Sequence, residues 1–314
     1  QVFQFYPYYS GQLIRIPSTI GGMISLTSLN LEGNYISGSI PSSIGSLSNL
    51  ESLRVYNLYQ MPGSVPSSIG GLSSLKYLSI QSSSFTGSLP STIGSLTNLL
   101  SLSIMNNNQI TGTIPASVGN LVSLETLSIA SGQQLPDSIG SLAALRQLEL
   151  RFSGSLPSSI GMLTNVQVFQ FYPYYSGQLI RIPSTIGGMI SLTSLYLDWS
   201  YISGSIPSCI GSLSNLEALN LYYMYQISGS LPSTIGGLSS LKYLSIRSSS
   251  LSGSLPSTIG GMSSLTRLEV TGCPFSRSIP TSVGNMAKLK YLYLNNNSLS
   301  GAIPSTIGSL SKLL

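Results

Sequence analysis

The sequence has no histidine, only two cysteines, and few charges: 7% charged residues against 42% hydrophobic ones. Without histidine the commonest general base and metal ligand is missing. No nucleophile–base–orienter set, phosphate loop or metal-ligand spacing can be assembled from the residues that remain. An enzyme is therefore not expected, and no catalytic residue, cofactor or metal is assigned. The 13 basic and 8 acidic residues give a formal charge of +5 and are scattered without a run of either sign. Nucleic-acid binding wants a clustered basic stripe, and none is visible. No apolar run approaches the ~20 residues of a membrane span. No signal peptide precedes Gln1 and there is no initiator methionine, as expected of a processed product or a segment of something longer. Ample apolar content with so little charge argues against disorder.

What is present is a beat. The stretch Ile16-Pro17-Ser18-Thr19-Ile20-Gly21 returns twelve more times, with prolines at 41, 66, 90, 115, 136, 157, 183, 207, 232, 256, 280 and 304, spaced 21 to 26 residues apart. A period in that range, with leucine at fixed offsets, means a solenoid and one continuous core. Residues 1–15 recur at 167–181, and identity at an offset of 166 runs to Leu29/Leu195. Similarity persists to about residue 94/260, so a block of repeats (about 1–94 and 167–260) has been duplicated within a single array spanning 1–314.

In a typical unit, Leu75-x-x-Leu78-x-Ile80 alternates apolar and polar, the mark of a strand with one buried face. Gly87-Ser88-Leu89 reads as a second, shorter extended stretch. Pro90 fixes φ and starts a turn of helix, with Ser91 or Thr92 placed to cap it and Gly94 ending it.

Leu26-x-x-Leu29-x-Leu31-x-x-Asn34-x-Ile36-x-Gly38-x-Ile40-Pro41-x-x-Ile44-Gly45-x-Leu47 resembles the plant-type leucine-rich repeat at almost every position, and the resemblance covers the whole chain. It is similar to receptor-kinase ectodomains and polygalacturonase-inhibitor-like repeats. The resemblance implies an α/β leucine-rich-repeat solenoid of about thirteen coils. It would be a right-handed superhelix, with a parallel β-sheet on the concave face and short second strands and helical turns toward the convex side. For function the resemblance implies less, because the family includes receptor ectodomains, glycosidase inhibitors, adhesins and some ice-binding proteins.

Three departures from the pattern stand out. The asparagine that ladders between coils survives only at Asn34, Asn107 and Asn297, so side-chain satisfaction of the turn should be patchier than usual. The units ending at Pro136 and Pro157 are three residues short, around Gln133 to Leu135 and Phe152 to Gly154, where a change of curvature is expected. Both ends lack the cysteine-paired flanks of the family; a bare end should fray, belong to a longer polypeptide, or stack head to tail. Cys209 and Cys273 lie between two and three repeats apart. That exceeds the ~7 Å disulfide reach if coils stack at ~4.8 Å.

Among candidate functional residues, Glu149 and Glu269 occupy outward strand positions with Arg151 and Arg267 nearby, which reads as same-face ion pairing. The outward positions of successive strands run Glu149, Arg151, Phe152; then Val168, Gln170, Tyr172; then Tyr196, Asp198, Trp199; then Asn220, Tyr222, Tyr223. Tyr172, Tyr196, Trp199, Tyr222 and Tyr223 beside Asp198 suit sugar or peptide recognition by stacking and directional hydrogen bonds. The alternative is that tyrosine merely suits exposed strands. After the repeat prolines comes a hydroxyl pair, broken only at Ala116, Asp137 and Cys209, read as helix-turn capping, as O-glycosylation sites, or as a water-ordering ladder against ice. Asn296-Asn297-Ser298 is the only Asn-glycosylation triplet, with Asn296 as acceptor.

The function expected is a non-catalytic extracellular or cell-surface scaffold for recognition or adhesion, with a protein, peptide or glycan ligand. The alternatives are a structural subunit stacking end to end into a filament, and an ice-binding protein.

Overall fold

A computed structural model describes residues 1–6, 12–33, 35–107, 110, 112–130, 134–152, 154–173, 179–198 and 201–314. The chain divides into two compact units, Gln1–Gly154 and Ser155–Leu314. The first carries seven principal strands: β1 (Val2–Phe5), β2 (Ser28–Glu32), β3 (Ser52–Tyr56), β4 (Tyr77–Gln81), β5 (Ser101–Met105), β6 (Thr126–Ala130) and β7 (Gln147–Arg151). The second carries six: β8 (Val168–Phe171), β9 (Ser194–Asp198), β10 (Ala218–Tyr222), β11 (Tyr243–Arg247), β12 (Arg267–Thr271) and β13 (Tyr291–Tyr293). Within each unit consecutive principal strands pair in parallel and in sequence order, so each is a stack of coils. This is the leucine-rich-repeat architecture.

Register follows from the period-2 pattern. Leu29, Leu53, Leu78, Leu102, Leu127 and Leu148 stand opposite one another on β2–β7, and all are essentially inaccessible. Each such burial contributes about 1.5–3 kcal/mol. The alternate positions face solvent. The second extended stretch lies a few residues upstream of its expected place. Its strands include Ile36–Ser37 and Ile202–Gly204, because it is Ile36 and Ile202 that turn inward.

After each of the thirteen repeat prolines comes a five-residue 3-10 turn, as at Ser91–Ser95, but no hydroxyl caps it. Proline itself takes the cap position in extended geometry, Pro90 at φ −69°. The hydroxyls are used between coils instead: Thr92 Oγ1 donates to the Ser67 carbonyl at 2.6 Å, and Ser43, Ser117, Thr234 and Thr306 repeat the bond one coil along. Nor does Gly94 end the turn; it lies inside it, and Leu96 closes it. The glycine is required for another reason. A Cβ at the equivalent Gly70 would stand 2.6 Å from the Thr92 carbonyl oxygen and 2.7 Å from its Cβ. Coils stack this closely only where a side chain is missing.

The asparagine ladder works where it survives. Asn107 is fully buried; its Oδ1 accepts from the Ser83 amide at 3.0 Å, and its Nδ2 donates to the carbonyls of Ile80 (2.8 Å) and Met105 (2.9 Å). Asn297 does the same for Cys273, Val270 and Leu294. Asn34 lies outside the described residues. Where serine or cysteine substitutes, fewer bonds form: Ser249 Oγ reaches only the Leu251 amide, and Cys273 Sγ points at the Thr271 carbonyl at 3.3 Å. Burial pushes the Cys273 thiol pKa up. Both cysteines are unpaired. One outward assignment fails: Phe152 is completely buried, because it follows the last strand residue and turns into the core.

Candidate functional site

On the solvent face of the second unit, register builds two rows across the strands. Gln170, Tyr196, Asn220, Ser245, Glu269 and Tyr293 stand in one; Asp198, Tyr222, Arg247 and Thr271 stand in the next. Neighbouring strands are ~4.8 Å apart, so adjacent members touch. Tyr172, Tyr196, Asp198 and Tyr222 are half-buried on this face, and Tyr223 is exposed at its edge. Trp199 lies outside the described residues. Tyr222 donates to Asn220 Oδ1 at 2.9 Å, which fixes its ring, and the Arg247 guanidinium lies 5.4 Å from the ring centroid, within cation–π range.

Tyr223 is unlike its counterparts. The residue leaving the principal strand adopts a left-handed conformation in coil after coil: Asn57, Ser82, Asn106, Ser248 and Asn296 at φ between 48° and 57°, with Gly33 and Gly272 elsewhere. These are residues that tolerate that region. Tyr223 holds the same corner at φ 53° with a bulky ring, 49% exposed. Its ring sits 6.3 Å from that of Tyr225.

Beside the tyrosines lies a charged centre that the sequence only half shows. Glu269 pairs with Arg267 on its own strand, as expected, with 3.2 Å between Arg267 Nη2 and Glu269 Oε2. Arg247 on the neighbouring coil grips it more fully: Nε to Oε1 at 2.6 Å and Nη2 to Oε2 at 2.7 Å, a bidentate fork. Ser245 Oγ donates to Oε2 at 3.2 Å. Under these groups Glu269, expected outward and open, is only 7% exposed. Arg267 in turn lies 4.8 Å from the Tyr293 ring centroid and 5.9 Å from that of Tyr291. In the first unit Glu149 keeps only the expected local partner, Arg151 Nε at 2.8 Å.

Burial raises the Glu269 pKa, but hydrogen bonds from Arg247 and Arg267 outweigh it and hold the carboxyl below its ordinary value. The ionised form thus stabilises the fold above the ordinary carboxylate range, and that stability is lost as pH falls through the depressed value. Glu269→Gln should lower stability by about 2 kcal/mol at neutral pH by removing the charged hydrogen bonds between a buried carboxylate and two guanidiniums. The gap to wild type should shrink below about pH 4. Denaturation midpoints from pH 7 to pH 3 check this; a gap constant across the range would contradict it.

Asn296 is exposed and its neighbour Asn297 is anchored in the ladder. Among the described residues no group of three His, Cys, Asp or Glu could hold a metal, and no helix is long and apolar enough to cross a membrane.

The profile described as Leucine-rich repeat region matches residues 64–155. The profile described as Leucine Rich Repeat matches 25–47, 191–213, 240–262, 264–286 and 288–310. No curated protein sequence matches. Among solved structures, a plant peptide hormone receptor, RGFR1 in complex with RGF2, is similar over 100% of this chain and 52% of its own, with 28% identity and a TM-score of 0.81. A leucine-rich-repeat protein of Leptospira interrogans is similar over 95% of this chain and 73% of its own, with 29% identity and a TM-score of 0.79. The Arabidopsis receptor kinase HAESA, in complex with the peptide hormone IDA and the co-receptor SERK1, shows 29% identity and a TM-score of 0.72 over 98% of this chain and 52% of its own. The chain thus spans about half the length of either plant receptor structure. Repeat, register and relatives agree: the chain belongs to the leucine-rich-repeat family, with repeats of the plant type.

Proposed function

We propose that this chain is a non-catalytic recognition scaffold that takes an extended peptide or protein segment on the solvent face of its second unit, working outside the cell or at its surface. The observation that carries the reading is Tyr223, an exposed aromatic ring at a corner whose left-handed conformation is otherwise held by Asn57, Ser82, Asn106, Ser248, Asn296 and two glycines, whereas Phe152 at the same position of its coil is buried. Strain retained at an exposed position is where binding function concentrates. Tyr172, Tyr196, Asp198, Tyr222 and Tyr223 make the platform, and Trp199 holds the sequence position equivalent to Tyr223 one coil earlier. Two of the similar structures, RGFR1 and HAESA, hold peptide hormones, which supports a peptide rather than a glycan ligand.

The internal duplication supplies a control. Tyr56 and Asn57 are the first-unit counterparts of Tyr222 and Tyr223. Peptides selected from a displayed random library against the purified chain should lose about tenfold or more in affinity on Tyr222→Ala. They should keep it on Tyr56→Ala. Tyr223→Asn should weaken the same peptides while raising fold stability by about 1 kcal/mol, because asparagine relieves the left-handed strain. Selected peptides indifferent to both second-unit changes would overturn the reading. Asn296 is proposed as the glycan acceptor of a secreted chain; secretion from a eukaryotic host without a mass shift removable by Asn296→Gln would contradict it.

A further inference from the structure

The whole net charge of the chain resides in one unit. Residues 1–154 carry five basic and five acidic side chains; residues 155–314 carry eight basic and three acidic. Equivalent strand positions of the two units show where part of the difference lies. Gln81, Ser101 and Ser103 of the first unit correspond, at the same offset of 166, to Arg247, Arg267 and Glu269 of the second. Where the first unit has a neutral hydroxyl-and-amide surface, in which Gln81 bridges Ser79 and Ser103 at 3.1 Å each, the second has a charged centre on an equivalent scaffold.

That centre is not neutral. Two guanidiniums share one carboxylate, and Arg247 already occupies both of its oxygens. Arg267 reaches only Oε2, at 3.2 and 3.4 Å. Both arginine side chains remain open to solvent, 44% and 36% exposed, while the carboxylate beneath them is closed off. Glu269 thus orients the two guanidiniums without cancelling them, and their outer edges present donors in a fixed plane.

We propose, resting on the recognition reading above, that Arg247 and Arg267 form a subsite for a single acidic side chain, Asp or Glu, within an extended peptide. Three observations select this ligand. The centre holds one excess positive charge, whereas an anionic polysaccharide or nucleic acid, charged at every residue, asks for a row of bases. It is flanked by aromatic rings, Tyr222 beside Arg247 and Tyr291 and Tyr293 beside Arg267, which suit the apolar neighbours of one carboxylate. It also lies on the fourth and fifth of the unit's six strands, with the tyrosine platform of β8–β10 on one side and Tyr291 and Tyr293 of β13 on the other, so a chain bound across it continues past the subsite instead of ending there.

The test uses the full chain and end-blocked synthetic peptides, N-acetylated and C-amidated, made from the library-selected sequences as Asp/Asn and Glu/Gln pairs. Acidic members should bind about tenfold tighter than their amide twins at low salt, with the preference shrinking in 0.5 M salt. Arg267→Gln should erase the preference, and it should fold, because Arg247 and Ser245 still satisfy Glu269; a thermal melt verifies this. Arg267→Lys, which keeps the charge, should retain a preference. Peptides that bind through Tyr222 yet ignore the acid-to-amide change would overturn the subsite and leave the recognition reading intact. Binding only by peptides with a free C-terminal carboxylate would overturn the internal side-chain assignment. Failure of every peptide, with Arg267-dependent binding of polygalacturonate instead, would overturn both.

Discussion

Replacing Asn107 by alanine should destabilise the first unit by about 4 kcal/mol, as much as truncating a buried core phenylalanine. The amide serves three backbone groups at once, the Ser83 N–H and the Ile80 and Met105 carbonyls, in a site with no access to water. Removing it leaves all three unmade, and each buried orphan costs about 1–3 kcal/mol. Asn297 makes the equivalent bonds but is only half-buried, so water can replace part of what Asn297→Ala removes, and its loss should be about half as large. Ser83→Ala, which deletes a single local bond to the Gln81 carbonyl, should cost under about 1 kcal/mol. Denaturant unfolding of the three variants checks the order Asn107, Asn297, Ser83. Equal losses would mean that the ladder is incidental to coil closure.

Gly70→Ala should cost about 3 kcal/mol although it adds one methyl group and touches no side-chain hydrogen bond. The new Cβ would meet backbone, the Thr92 carbonyl, and not the yielding end of a side chain. Relief therefore requires the two coils to part, which strains the adjacent hydroxyl bond from Thr92 to Ser67. Gly22, one residue beyond the equivalent position of its own coil, has open space around it, and Gly22→Ala should be near neutral. Thermal melts of the pair discriminate: matched midpoints would show that coil spacing does not depend on the missing side chain.

Those two positions also show what the sequence could and could not say. Thirteen occurrences of Ile/Leu/Val-Pro with alternating leucines are enough to specify coil, strand and buried face, and Leu78 and Ile80 lie as that pattern requires. The pattern says nothing of what a residue meets on the next coil. The post-proline glycine looks like a helix stop because helices end that way, whereas here it makes room for a neighbour some 22 residues on. The hydroxyls look like caps for the same reason, and donate across coils instead.

The site divides along the same line. Aromatic and acidic outward positions of β9 and β10 were legible from alternation, and the Arg267–Glu269 pair from its spacing of two. The more complete grip of Arg247 on Glu269 joins residues 22 apart in sequence and appears only once strands are laid in register. The conformation of Tyr223 could not be read from the sequence, because the same column also holds Phe152 and Pro173, which are not left-handed; only the backbone shows that Tyr223 shares its corner with Asn, Ser and Gly.

A ligand is expected on the solvent face of the second unit. Hydrogen–deuterium exchange of the full chain, with and without a saturating library-selected peptide, tests it most directly. New protection should be confined to backbone amides around 196–198, 218–225, 243–248 and 267–272, with the corner at Tyr223 changing most. Protection mapping instead to the post-proline turns, or to the duplicated face around Tyr56, would contradict it.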